Sequence, residues 1–578
     1  MSRDENQLGF DEIDPDADGV TLGDWSALGA AAARAAGSGP AALDAVEPQA
    51  DPGAAGSDVA APAPAPGPGP APSLTAREIA RLIGRHEPTD EQVAVIEAPL
   101  EPTLVVAGAG SGKTETMAAR VVWLIANELV EPDQVLGLTF TRKAAGELQT
   151  RVTSRLAQLA RAQGRAAGAV APIDLLARPT IATYNAYAAS LVTDHGLRLG
   201  VEPGSRLLGE ANRWQLAAEL VDSWDGDLGT DRAVSGVVGA VMALAGELGE
   251  HLVPVDVARA TLDAMLERLE ALPLGKRQRS RGADVEKLLR SLAERRHLLD
   301  LVAEYRRRKR AADALDFGDQ IAFGAELARS VPHVGEVERA RFRVVLLDEY
   351  QDTSYAQVEL LAGLFGGGHA VTAVGDPHQS IYGWRGASAS GLARFPERFR
   401  RAGGGHAGVR YLSTSWRNDA AVLAAANVAS APLRRGSTPA GSGDAASVSG
   451  AAAGASLGVP VPVPAPAVHV PPLDLRPGAG TGSVTAHVAT TLEEEAEAVA
   501  AWVAERWRPG SHPGGRVTAA VLCRARSQFA AVEVALRRRG LPVEVVGLGG
   551  LLSTPEVVDV VAMLEAVHDP SRGTRCCA

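Results

Sequence analysis

Residues Ala107-Gly108-Ala109-Gly110-Ser111-Gly112-Lys113-Thr114 follow directly on the apolar run Leu104–Val106, and a helical pattern, Glu115–Asn127, comes after them. An apolar strand that feeds a glycine-rich turn and then a helix is a layout that cradles phosphates. Backbone N–H groups turn inward, and the helix adds the positive end of its dipole. Gly108, Gly110 and Gly112 let the chain curl without Cβ clashes. Lys113 has the reach for β- and γ-phosphates, and the Thr114 hydroxyl suits Mg²⁺. Ala107 stands where the usual pattern opens with glycine. A nucleoside triphosphate with Mg²⁺ is the expected ligand.

A second cluster lies far downstream. Val344–Thr353 reads Val-Val-Leu-Leu-Asp-Glu-Tyr-Gln-Asp-Thr, an apolar strand ending in two carboxylates. Asp348 is placed to hold the metal and Glu349 to polarise an attacking water as general base. An acidic pair after an apolar strand is common on its own. Downstream of a phosphate loop it completes an ATPase.

The elements that position these residues read as α/β. Apolar runs at 104–106, 135–138, 344–347 and 371–374 look like buried parallel strands with helices between them. Residues 206–310 are charged, helical in pattern and poor in strand signals, as expected of a helical insertion. After 480, candidate strands at 483–489, 517–523 and 543–547 alternate with candidate helices at 491–507, 525–539 and 555–568, the last with Ser553 as N-cap.

Composition narrows the class further. Of the net charge of −12, most falls within residues 1–70, which hold twelve acids and two arginines. That segment ends in a Pro-Ala-Gly tract and reads as a disordered tail. The body is near neutral, which leaves local basic patches free to bind nucleic acid. The three cysteines, Cys523, Cys576 and Cys577, make neither a four-cysteine metal site nor a good disulfide pair. No apolar run reaches membrane-spanning length and no signal segment opens the chain, so a cytoplasmic protein without a membrane partner is expected.

Several motifs, taken in order, resemble those of the superfamily 1A DNA helicases of the UvrD/Rep/PcrA type, from about Arg85 to about Pro570. Pro88-Thr89-Asp90-Glu91-Gln92 resembles the family's Q motif, which implies that Gln92 reads the adenine edge. Leu138–Ala145 resembles motif Ia, which implies a base stacked on Phe140 and phosphates beside Arg142 and Lys143. Thr183-Tyr184-Asn185-Ala186-Tyr187 sits where the family has a DNA-contacting Thr-Phe-His segment, implying roles for Thr183 and Tyr184, with Asn185 in place of the usual His. Leu315–Asp319 resembles a segment near the DNA channel. Val374–Ala387 resembles motif III, which implies Gln379 at the γ-phosphate and Tyr382 and Trp384 on the strand. Leu412–Asn418 resembles motif IV, which implies Arg417 as an arginine finger and Trp416 stacked on adenine.

The resemblance implies a P-loop NTPase with a RecA-like lobe 1A (74–205 and 311–405), an insertion 1B (206–310) and a partial lobe 2A (406–570), within which the Ala-, Pro-, Gly- and Ser-rich residues 433–480 read by composition as a disordered loop. Residues 1–73 would be the tail. The activity implied is ATP-driven 3′→5′ movement on single-stranded DNA and at duplex junctions, in repair or recombination. Lys113–Arg120, Thr139–Gly146 and Leu541–Gly547 are similar to the B subunit of AdnAB-type helicase–nucleases, which implies a partner subunit. The family's motifs V and VI are expected beyond this sequence, so an ATP- and DNA-binding module without unwinding activity is the alternative. Residues 571–578 read as aberrant. One base deleted from a GC-rich coding of Gly-Asp-Ala-Leu-Leu-Arg yields Gly573-Thr574-Arg575-Cys576-Cys577, which suggests a frameshift.

Overall fold

The computed structural model describes residues 73–165, 178–273, 281–383, 389–436, 468–509, 517–546 and 555–568. The acidic tail through 72, Trp384, Ser553, residues 437–467 of the expected loop and residues 571–578 lie outside them.

The four expected buried strands are present as β1 (Thr103–Ala107), β2 (Val135–Thr139), β6 (Val344–Leu347) and β7 (Ala370–Gly375), each buried along its whole length. They join β3 (Thr180–Thr183) and β8 (Gly408–Leu412) in a six-stranded sheet of order β3-β2-β6-β7-β1-β8, every pair of it parallel. Side chains alternate between the two faces. Leu104, Val106, Leu136, Leu138, Val345 and Leu347 enter one core with Tyr184, Tyr187, Phe342 and Phe365. Val105, Ala107, Val135, Val344 and Leu346 enter the other, beneath the helix Lys113–Ala126. Burial on both faces explains the unbroken apolar runs.

Between β3 and β6, four helices, Glu210–Asp222, Val234–Glu250, Val255–Ala271 and Ala283–Ala311, close around their own apolar core. At its root the two-residue strands β4 (Arg206–Leu207) and β5 (Ala314–Leu315) pair in parallel. The pair Val234–Glu250 and Val255–Ala271 is apolar, but it is bent by 105° and packed in this core. No single described helix is long and apolar enough to cross a membrane.

Three expectations are corrected here. Residues from 406 onward do not begin a separate lobe, because β8 hydrogen-bonds to β1 as an edge strand of the first sheet. The expected loop is tied down where its described part begins. Val470 is buried in the first core, β10 (Asp474–Leu475) pairs in parallel with β9 (Thr414–Ser415), and the Asn427 side chain holds both backbone groups of Leu473. The chain divides into compact units between Gly482 and Ser483. The second unit contains helices Leu492–Arg506, Phe529–Arg538 and Pro555–His568, close to the expected ranges. The three expected strands are not formed among its described residues. Only an isolated bridge links Arg508 to Val517, and Val488 and Leu522 are almost fully exposed. Apolar alternation makes a strand only where a ladder partner takes up its backbone groups.

The element carrying Gln92 is fixed by one buried charge. Thr89 and Gln92 form a reciprocal cap on the helix Asp90–Ile96. At its other end Arg120, 1% exposed, donates to the carbonyls of Val95, Ile96, Ala98 and Pro99 at 2.9–3.2 Å. Burial, with Arg410 nearby, lowers the guanidinium to about 10. The cation and the helix's negative end neutralise each other. Arg120→Met leaves these carbonyls without their donor, at a cost of about 2–4 kcal/mol. Thermal melts of the variant should show a clear fall in Tm. A change equivalent to less than about 0.5 kcal/mol, the level of an ordinary surface substitution, contradicts this account.

Candidate functional site

Parallel strands place their C-terminal ends along one edge of the sheet, and the phosphate loop leaves β1 at that edge. Gly110 (φ +76°) and Gly112 (φ +82°) both take the left-handed conformation that glycine tolerates, and Gly112 caps the helix that starts at Lys113. The Ser111 hydroxyl donates to Gly108 O at 2.8 Å and the Thr116 hydroxyl to Gly112 O at 3.0 Å, bracing the turn. Thr114 sits half-buried in the first helical turn. Gln92 reaches the loop from the side, with Nε2 3.5 Å from Ser111 O.

Asp348 and Glu349 end β6 on the same edge. Asp348 is 3% exposed, and burial beside the charge of Glu349 pushes its carboxyl up to about 6 against the pull of Lys113. Glu349 holds a left-handed backbone (φ +48°), which costs a non-glycine residue about 1–3 kcal/mol. Its carboxylate accepts from Lys113 Nζ at 3.2 Å and from Gln351 Nε2 at 2.8 Å. Asp376, after β7, accepts from Gln379 Nε2 at 2.6 Å. Ala107, Gly108 and Ala109 continue β1 into the loop. Ser415 Oγ donates to Ala109 O at 3.3 Å and the Trp416 amide to Gly110 O at 2.8 Å. A Cβ on Gly110 would meet Arg417 Cβ at 2.7 Å. Trp416 and Arg417 are therefore carried to the rim of the loop, both exposed. Glu91 locks this approach by accepting from the amide and hydroxyl of Ser413, both at 2.7 Å.

The expected strand-contacting residues separate into two groups. Phe140, at the end of β2, stacks on Tyr382 with ring centroids 4.8 Å apart, and Arg142 and Lys143 beside it are exposed. Thr183 and Tyr184 are used internally. The Thr183 hydroxyl caps the helix Tyr184–His195 by accepting from Ala186 N at 3.1 Å. Tyr184 is 3% exposed, and its hydroxyl donates to Asp348 O at 2.8 Å. The expectation that Tyr184 touches DNA is corrected: its ring fills the core and its polar end braces the carboxylate strand. Asn185 accepts from Gln357 Nε2 at 3.2 Å. Asp316 caps the helix Phe317–Ser330 and pairs with buried Lys309 at 2.8 Å, leaving Phe317 half exposed.

Residues 88–400 match the model of the UvrD/REP helicase N-terminal domain. The chain belongs to that family. It is similar to the ATP-dependent DNA helicase UvrD1 of Mycobacterium leprae, 30% identical over 331 residues, covering 55% of this chain and 36% of that protein. The DNA helicase II of Rickettsia typhi is 27% identical, covering 56% and 42%. The UvrD1 of Mycobacterium bovis is 26% identical over 508 residues, covering 85% and 53%. The chain thus spans about half or less of these relatives' length.

In this UvrD/REP domain the α/β fold with its parallel sheet is the RecA-like P-loop fold. Three further residues join the site that the motif spacing did not single out: Glu91, Gln351 and Ser415. Glu91 adjoins Gln92, and Gln351 lies inside the Tyr-Gln-Asp-Thr stretch, so their positions were visible but their partners were not. Those partners lie 322 and 25 positions away. Tyr184→Phe removes one buried hydrogen bond, which should lower stability by about 1 kcal/mol while leaving single-stranded DNA affinity within about twofold. A large loss of DNA binding with unchanged stability contradicts the buried role.

Proposed function

We propose that this chain is the ATP-hydrolysing motor part of a DNA helicase that moves 3′→5′ on single-stranded DNA. The observation that carries the reading is the Lys113–Glu349 ion pair at the edge where the phosphate loop, Gln379 and Arg417 meet. A phosphate-binding lysine and a hydrolytic carboxylate already lie within 3.2 Å of each other. Incoming phosphates compete for Lys113 and free Glu349 to accept a proton from water.

In this reading Gln92 and Trp416 hold the base, the backbone from Ala107 to Gly112 cradles the phosphates, and Arg417 approaches the γ-phosphate. The hard oxygens of Thr114 and Asp348 suit Mg²⁺, and burial beside Glu349 raises the Asp348 carboxyl, a cost that a bound cation would relieve. Held there, the ion would neutralise phosphate charge. Phe140 and Tyr382 offer stacking faces for any base, with Arg142 and Lys143 at the backbone, which suits movement without sequence preference. The 3′→5′ polarity, action at duplex junctions, a role in repair and a helicase–nuclease partner rest on family resemblance. A second reading is a module that binds ATP and DNA without separating strands.

Steady-state hydrolysis with and without oligo(dT) tests the first reading. DNA-stimulated ATPase is expected, and Lys113→Ala should lower kcat by at least about a hundredfold. No hydrolysis, or hydrolysis indifferent to DNA, contradicts the motor. Phe140→Ala should weaken oligo(dT) binding by about 1–3 kcal/mol, read by fluorescence anisotropy. Unchanged affinity removes Phe140 from the strand path. Strand displacement on 3′- and 5′-tailed duplexes then separates a helicase from the non-unwinding module.

A further inference from the structure

The side chain of Gln351 is 1% exposed and lies between the hydrolytic carboxylate and the loop that follows β7. Its Nε2 donates to Glu349 Oε2 at 2.8 Å and to Asp352 Oδ2 at 3.2 Å, and its Oε1 accepts from the Asp376 backbone amide at 3.0 Å. These partners leave the amide one orientation, since carboxylates only accept and a backbone N–H only donates. The main-chain carbonyl of Gln351 also accepts from Ser380 Oγ at 3.2 Å. Asp376 holds the loop through His378 N and Gln379 Nε2, and two residues past Ser380 Tyr382 stacks on Phe140.

We propose that Gln351 is a positioning residue that couples nucleotide occupancy to DNA binding, by tying Glu349 to the 376–382 loop through its side-chain amide. The inference rests on the motor function proposed above. Glu349 Oε2 is shared by two donors, Lys113 and Gln351. When phosphates draw Lys113 away, the bond to Gln351 remains and sets where the carboxylate sits. Any shift of Glu349 is passed to Asp376 and Gln379 on one side, and through Ser380 towards Tyr382 on the other. The fit around the amide is close. A Cβ on Gly375 would lie 2.7 Å from Gln351 Oε1 and 2.5 Å from Leu392 Cδ1, so no side chain fits there without displacing the amide.

The test is linked binding, which needs no turnover. The affinity of the full chain for labelled oligo(dT) is measured without nucleotide and with Mg²⁺ and a non-hydrolysable ATP analogue. For the unsubstituted chain we expect the two dissociation constants to differ by about tenfold. In Gln351→Met this ratio should fall to about one. Gln351→Asn, which keeps an amide but withdraws it by one methylene from Glu349 and Asp376, should give the same loss and reads the coupling if Gln351→Met does not fold. A variant that keeps the full ratio overturns the proposal. So does one that weakens both states equally, as a merely structural residue would, and so does an unsubstituted chain whose ratio is one. If the unsubstituted chain binds neither oligo(dT) nor the analogue, the motor reading itself fails.

Discussion

The ion pair between Lys113 and Glu349 joins residues 236 positions apart across one intervening strand. It can form only because β1, β7 and β6 lie side by side and run the same way. A parallel sheet requires long crossovers, here the helices on both faces and the four-helix insertion, and those crossovers bury both faces of the sheet. Other features of the site serve the same edge. Gly110 and Gly112 turn the chain so that Lys113 faces inward, and the left-handed backbone at Glu349 aims its carboxylate back at the loop. Tyr184 and Arg120 brace the strand and helix that bear Asp348 and Gln92.

The pair is also poised rather than satisfied. Lys113 is mostly buried, Glu349 is about one-third exposed, and the carboxyl of Asp348 is pushed upward by its burial and by the charge of Glu349. Two carboxylates and one ammonium, on an edge that also presents helix-terminal N–H groups, leave room for a polyanion with its own cation. The same edge carries Phe140 and Tyr382, a few residues from the elements that would hold phosphate. Short paths of hydrogen bonds through Gln351 run between them.

Much of this was legible in the sequence because burial on both faces writes long apolar runs. β1, β2, β6 and β7 were each marked by such a run. β3 and β8 were not, because as edge strands they carry Thr180, Thr183, Arg410 and Tyr411 on half-buried surfaces. The same blindness placed a lobe boundary at 406, since nothing local in Gly408–Leu412 says which strand it will pair with. The apolar alternation at 483–489 and 517–523 misled in the opposite direction, predicting strands where no ladder forms. Chemistry-bearing types were easier to find than their directions. Lys113, Asp348, Glu349 and Gln379 converge on one edge, whereas Tyr184, an aromatic in a motif position, turns inward because the helix it opens packs against the core.

The most direct measurement is a crystal structure of this chain with Mg²⁺ and a non-hydrolysable ATP analogue. The account predicts that Lys113 Nζ leaves Glu349 for the β- and γ-phosphate oxygens, with the base beside Gln92 and Trp416 and the metal between Thr114 and Asp348. An analogue bound elsewhere, or bound with the 3.2 Å Lys113–Glu349 pair intact, contradicts it.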